Sequence, residues 1–120
     1  MRGLRGAITV EENTAQAIRT ATCQVVEAML EANKVQPEDI GAAIFSATKD
    51  ITALFPAAAA RTLSGFEMVP LFDAQQMDVE GSLPLCIRVL LLVDTDLSQR
   101  DIKHIFLGKA ANLRPDLRKK

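Results

Sequence analysis

The centre of the fold is predicted by the stretch CIRVLLLV, residues 86–93. Its apolar residues fall on both faces of an extended chain, which is typical of a strand in the middle of a sheet. One residue breaks the pattern, because the Arg88 guanidinium is very costly to bury without a partner. The stretch therefore predicts a central strand whose cation either pairs with an anion or faces a solvent-filled cleft.

Three further strands are predicted before this stretch. Residues 4–12 alternate between two faces of an extended chain, and residues 40–48 and 66–72 also have the pattern of strands. Residues 104–107 form a short apolar run that fits either a fifth strand or more helix.

One long amphipathic helix is predicted between the first two strands. Asn13 and Thr14 are good N-cap residues, and apolar residues then recur at helical spacing until Asn33, over about five turns. Pro56 is predicted at the first position of a short alanine-rich helix that runs to about Leu63.

The order of these elements indicates a single α+β domain of α/β-like character over residues 1–120, with a mixed sheet and one long helix. Few helices are available to cover that sheet, so we expect other subunits to bury one face. The tail over residues 113–117 is predicted to be irregular, and residues 118–120 to be frayed.

The composition is that of an ordinary globular protein. Of 120 residues, 48% are hydrophobic and 24% are charged, and the formal net charge is -1. This balance predicts no general attraction to nucleic acid or to a membrane surface. Met1 is followed by no apolar leader segment, which predicts a cytoplasmic protein. A single histidine and two scattered cysteines predict no zinc site and two reduced thiols.

Two arginines are the first candidates for function. Arg88 either pairs with an internal acid, such as Asp73 or Asp78, or binds a ligand, and the pattern alone leaves both readings open. Arg5 lies among small residues, where it could clamp a carboxylate through two parallel hydrogen bonds. It could equally be a strand-end arginine that reaches water.

Other candidate features are weaker. The helix start within residues 54–61 could bind an anion or face solvent, and Asp73 and Gln76 could line a cleft or a solvated turn. The sequence contains no recognisable catalytic triad, glycine-rich phosphate loop or hydrolytic carboxylate pair. Arginines without a nucleophile suit anion binding, or a reaction that needs only positioning and electrostatics.

Several short motifs occur in a characteristic order along the chain. They are RGLRGA at 2–7, FPA at 55–57, LSG at 63–65, MDV at 77–79, CIRV at 86–89 and LRPDL at 113–117. Together they resemble the monofunctional AroH-type chorismate mutases. The resemblance implies a homotrimer with a barrel-like core, active sites between subunits, and conversion of chorismate to prephenate without a cofactor.

The resemblance also assigns roles to residues. It implies that Arg88 binds the substrate's ether oxygen and a carboxylate, and that Arg5 binds a carboxylate, with Asp73 and Gln76 completing the catalytic group. The implied substrate-binding positions are Phe55, Ala57, Arg61, Leu71, Phe72, Ala74, Gln75, Phe106, Leu113 and Arg114.

Three of these positions depart from the family's usual pattern. The family typically has glutamate where Gln76 stands, cysteine or another small polar residue where Asp73 stands, and tyrosine where Phe106 stands. We hypothesise that Asp73 accepts the substrate hydroxyl and helps to neutralise Arg88, while Gln76 gives neutral support. The alternatives are a non-catalytic trimer that binds small anions, and an imine deaminase of the Rid type.

Overall fold

Five strands form one mixed sheet in the computed structural model, which describes residues 1–112. They are β1 (Arg2–Thr9), β2 (Ile40–Ala47), β3 (Leu71–Gln75), β4 (Cys86–Val93) and β5 (Ile105–Leu107). Their order across the sheet is β3-β2-β4-β1-β5. Strand β4 is antiparallel to both of its neighbours, whereas β3 and β5 each pair in parallel at the edges. The central strand predicted over residues 86–93 is confirmed.

Two α-helices accompany the sheet, α1 (Ala15–Asn33) and α2 (Pro56–Ala60), with short 3-10 turns elsewhere. The Thr14 hydroxyl accepts the Ala17 N–H at the start of α1, and Lys34 in the left-handed conformation ends the helix. Helix α2 begins at Pro56 as predicted but ends three residues before Leu63.

Helix α1 covers one face of the sheet, which we call the helix-covered face. Val25, Val26 and Met29 on the helix are fully buried, as are Phe45 and Ile87 on the sheet. Burial of each such side chain stabilises the fold by about 1.5–3 kcal/mol. The helix lies very close to β1, since a Cβ on Gly6 would clash with the Met29 sulfur.

The opposite face of the sheet, which we call the open face, has no α-helix over it within residues 1–112; a 3-10 turn over Gly108–Asn112 packs against one end of it, with Ala110 beside Ala7, Cys86 and Phe106. Along β4, Ile87, Val89 and Leu91 are buried on the helix-covered face, whereas Arg88 and Leu90 on the open face are only half-buried. The apolar pattern of β4 thus exceeds what residues 1–112 cover.

The prediction of a strand over residues 66–72 was wrong, since β3 begins only at Leu71. Phe66 is buried, but it sits in a turn in which its N–H donates to the Leu63 carbonyl and its own carbonyl accepts from Val69. Gly65 makes the turn possible with a φ of 87°. Phe66 therefore fits the apolar pattern of a strand, but its backbone forms a turn.

The boundaries of the other elements lie closer to the predicted ones. Strand β1 starts and ends earlier than the predicted residues 4–12, and the ambiguous run over residues 104–107 contains strand β5. The predicted irregular and frayed tail lies outside the described residues. No helix within residues 1–112 has the length and apolar character needed to cross a lipid bilayer.

The structure makes a stability prediction at Thr22, whose buried hydroxyl on α1 has no hydrogen-bond partner within residues 1–112. Thr22→Val keeps the side-chain shape and removes the unsatisfied group, so we expect the free energy of unfolding to rise by about 1 kcal/mol. Denaturant unfolding at fixed protein concentration measures the change. Thr20→Val, on the exposed side of the same helix, is the control; an equal gain there would contradict the explanation.

Candidate functional site

Arg88 extends from the central strand on the open face of the sheet. Its Nε donates a hydrogen bond to Gln76 Oε1 at 2.9 Å. Gln76 follows β3 directly, and its backbone N–H donates to the Ala47 carbonyl. The only ion pair between two described residues joins Lys49 to Asp78. Pairing of Arg88 with Asp73 or Asp78, one of the two sequence-based readings, is therefore wrong, and the guanidinium is held by a neutral oxygen.

A cleft of about 240 Å³ opens beside this guanidinium, and we call it the Arg5–Arg88 cleft. Its lining residues are Arg5, Gly6, Ala7, Ile44, Ser46, Arg88, Val89, Leu90 and Phe106. Ligand pockets usually span about 300–1,000 Å³ and enclose most of the ligand. This cleft is smaller and open on one side, so residues 1–112 of one chain surround only part of a small ligand. Sequence reasoning missed Ile44 and Ser46, although alternation along β2 puts both on the face of Arg88.

Arg5 lies on β1 across from Leu90 of the central strand. Its backbone N–H donates to Nδ1 of His104 at 2.9 Å, so this bond requires His104 to carry no proton on Nδ1. The imidazole thereby extends the pairing of β1 with β5 by one residue. The sheet itself thus brings Arg5 and Arg88 to one cleft.

Phe106 lines the cleft from β5, and only 6% of it is exposed. It packs in a small cluster with Ala7, Cys86 and Ala110. Burial raises the pKa of the Cys86 thiol, and the nearby Arg88 only partly opposes that effect. The thiol is therefore protonated at neutral pH and does not act as a nucleophile.

Asp73 lies on the other side of the sheet from Arg88. It pairs in register with Phe45, whose side chain is buried on the helix-covered face, whereas Ser46 pairs with Arg88. Its Oδ1 accepts the Ala57 N–H at 3.0 Å, so this carboxylate occupies a donor at the start of α2. Burial raises the pKa of Asp73, and the Ala57 hydrogen bond opposes that rise. The hypothesis that Asp73 neutralises Arg88 fails within one chain.

The other candidate residues gather around α2 and the adjoining end of β3, and we call this group the α2 patch. It consists of Phe55, Ala57, Arg61 and Asp73, with Ala74 and Gln75 beside it. Phe55 is 71% exposed, and it lines a second cavity of about 470 Å³ together with Ala74 and Gln75. Candidate residues thus form two separate groups, the Arg5–Arg88 cleft and the α2 patch.

The structure describes two of the four remaining candidates, and both lie at the start of β3. Leu71 is half-buried, and Phe72 is 66% exposed on the open face. Leu113 and Arg114 lie outside the described residues. Within residues 1–112, no group of three or more histidine, cysteine or acidic side chains is arranged to hold a metal ion.

Comparison with known proteins gives consistent matches over nearly the whole chain. The family model described as chorismate mutase type I matches residues 1–117. Chorismate mutase AroH of Bacillus subtilis (strain 168) is 48% identical over 117 residues, which cover 98% of this chain and 92% of that protein. Chorismate mutase AroH of Thermus thermophilus is 51% identical over 118 residues, covering 98% and 96%. The solved structure of a chorismate mutase from Clostridium thermocellum has a TM-score of 0.88 and 43% identity, covering 92% of this chain and 97% of that one.

The contact between Arg88 and Gln76 makes a prediction for Gln76→Glu. A carboxylate 2.9 Å from Arg88 Nε would form a charge-assisted bond, which we expect to stabilise the chain by about 1 kcal/mol more than the amide. The new carboxyl pKa would fall below that of a free glutamate. The added stability is then present above the unfolded-state pKa of about 4.3 and lost as pH falls through the folded-state value.

Thermal unfolding measured across that pH range checks this prediction. Gln75→Glu, on the exposed neighbouring residue, adds the same charge away from Arg88 and serves as the control. A pH dependence that is the same in both variants would count against a charge-assisted bond at position 76.

Proposed function

The chain belongs to the type I chorismate mutase family, a family of isomerases, and we propose that it rearranges chorismate to prephenate in a site assembled between copies of the chain. In this reaction the ether C–O bond breaks while a C–C bond forms in one concerted shift. No proton moves and no covalent intermediate forms. The reaction therefore requires positioning and charge stabilisation, and no nucleophile.

The observation that carries the proposal is the placement of Arg88. Its guanidinium lies on the open face, is oriented by the neutral Gln76 oxygen, and has no carboxylate within ion-pair distance among residues 1–112. As the ether bond breaks, negative charge grows on the substrate's ether oxygen. An oriented guanidinium stabilises that charge in the transition state more than in the ground state, which is the condition for raising the rate.

A second cation fits the substrate's charge. Chorismate carries two carboxylates, and Arg5 lines the same cleft as Arg88. We propose that Arg5 binds one carboxylate and that the apolar walls formed by Ile44, Leu90 and Phe106 favour the compact conformer that reacts. Holding the substrate in that conformer lowers the entropic part of the activation barrier. Arg61 and Arg114 would gather the dianion at the mouth of the cleft.

We further propose that the active assembly is a homotrimer with sites at the subunit interfaces. Three features support this arrangement: the cleft is half open, the open face bears half-buried Leu90 and Leu92, and Phe72 on that face is 66% exposed. A second copy that presents its α2 patch to the cleft would cover this face. Such a head-to-tail contact closes into a ring when the rotation between copies allows it.

Asp73 and Gln76 would then act from different copies. Gln76 orients Arg88 within its own chain, while Asp73, on the α2 patch, would accept the substrate hydroxyl in the neighbouring copy's cleft. Phe106 gives the cleft an apolar wall but has no phenol hydroxyl. Substrate binding would therefore be weaker than with tyrosine at this position by about one hydrogen bond, roughly 1 kcal/mol. The reaction would serve phenylalanine and tyrosine biosynthesis in the cytoplasm, without a cofactor.

The central test replaces Arg88. We expect Arg88→Ala to lower kcat/KM for chorismate by about a thousandfold, since one group that stabilises developing charge is worth about 3–4 kcal/mol. Arg19→Ala removes an exposed arginine from α1 and should leave the rate unchanged. Chorismate consumption by the purified chain gives the measurement. A wild-type chain that binds chorismate without turnover would instead identify an anion-binding protein.

The location of the site can be tested by mixing two inactive variants. If each site takes Arg88 from one copy and Asp73 from the next, unfolding and co-refolding Arg88→Ala with Asp73→Ala restores about a quarter of the sites by random assortment. Arg88→Ala mixed with Gln76→Ala is the matched control, since both residues belong to one cleft, so the second mixture should recover nothing. Equal recovery in both mixtures would rule out the shared site.

A further inference from the structure

Leu85 adopts a backbone conformation that leucine rarely takes. It immediately precedes β4, and its φ of 50° lies in the left-handed region. Lys34 is the other non-glycine residue with positive φ within residues 1–112, but it ends α1, where that conformation is ordinary. A leucine in the left-handed region is strained, and this conformation persists only where its surroundings fix it.

Asp50 supplies the contacts that fix this conformation. Both of its carboxylate oxygens accept the Leu85 N–H, at 3.1 and 3.0 Å. The Leu85 carbonyl accepts the Val10 N–H at 2.9 Å on the other side. Asp50 is half-buried, so these bonds to a charged acceptor are stronger than those between neutral groups.

Thr48 connects Asp50 to the first residue of the central strand. Its hydroxyl donates to Asp50 and accepts the Cys86 N–H at 3.0 Å, and its backbone N–H donates to the Cys86 carbonyl at 3.1 Å. The regular pairing of β2 with β4 ends one step earlier, at Ala47 and Ile87. Thr48 and Asp50 therefore extend the ladder with side chains at the start of β4.

The same end of β2 also fixes the partner of Arg88. The Ala47 carbonyl accepts the Gln76 N–H, and the next residue along, Thr48, holds Cys86. Cys86 and Arg88 lie two residues apart on one strand, so their side chains share a face. Ala47 thus holds Gln76, and the adjacent Thr48 holds the strand that carries Arg88.

We propose that Asp50, acting through Thr48, is a positioning residue that sets the direction of the Arg88 guanidinium toward the breaking ether bond. This inference rests on the proposed function of Arg88. Without the Asp50 carboxylate, Leu85 can relax to an extended conformation, which turns the start of β4. A displacement of about 1 Å at a reacting group can cost about a hundredfold in rate.

The expected effect lies in turnover more than in binding. Asp50 forms hydrogen bonds with Thr48 and Leu85, neither of which lines the Arg5–Arg88 cleft, and its loss would disturb an interaction that is strongest in the transition state. We expect Asp50→Ala to lower kcat for chorismate by about tenfold or more while KM changes by less than about threefold. Asp78→Ala is the matched control, because it removes a carboxylate from an exposed ion pair nearby. We expect it to retain wild-type kcat.

Thr48 variants provide the second arm. Thr48→Val removes the hydroxyl and should lower kcat in the same way, whereas Thr48→Ser keeps the hydroxyl and should rescue it. This arm decides the question if Asp50→Ala does not fold. Variants are compared only when their solution mass and thermal unfolding midpoint show a folded, assembled protein. A Thr48→Val protein with wild-type kcat would overturn the proposal.

A double-mutant cycle separates positioning from general damage. If Asp50 acts through Arg88, the kcat loss of Asp50→Ala largely disappears in an Arg88→Lys background, whereas independent effects multiply. Multiplying effects would overturn the proposal while leaving the function of Arg88 intact. An Arg88→Lys protein as active as the wild type, or a wild type without turnover, would overturn the proposed function itself.

Discussion

The unmet charge of Arg88 is the constraint on which the rest of the site depends. A half-buried guanidinium on the central strand loses part of its hydration, and its one acceptor among residues 1–112, apart from the weak sulfur of Cys86, is an amide oxygen. The Gln76 dipole fixes the direction of the group without cancelling its charge. An internal carboxylate in the same place would stabilise the free chain more and would offset part of the cation's charge, whereas the amide leaves that charge undiminished. The chain thus keeps a cation oriented and available.

The asymmetry of the sheet explains where this cation lies. Helix α1 buries the face that carries Phe45 and Ile87, whereas the face with Arg88 and Leu90 is left half-covered. A charged group placed under α1 would need a partner inside the core, while on the open face it can meet a ligand or another copy. In the proposed trimer, one surface therefore serves both association and catalysis. The half-open cleft and the uncovered apolar side chains both result from the incomplete burial of the open face.

Sequence reasoning succeeded where the signal is local. Strand β4 follows from an unbroken apolar run, and α1 follows from its N-cap and its helical spacing. It failed at β3, because a buried Phe66 in a turn has the same apolar signature as a strand. That error moved Asp73 from a strand into a predicted loop, and the face of a strand residue depends on register with a distant partner. Asp50 was missed because its partner Leu85 lies 35 residues away, and nothing in a leucine signals a positive φ.

In the proposed site, the residues at positions 73 and 76 would divide two functions that a single glutamate at position 76 could combine. Gln76 orients the guanidinium through a neutral bond within the chain. Asp73 holds a negative charge on the opposite side of the sheet, where burial already makes that charge costly. In the proposed assembly, the uncompensated cation of one copy and the partly desolvated carboxylate of the next would approach the same substrate. Each charge would then be better solvated by the complex than by its own chain, so that charge balance would itself favour association of the copies.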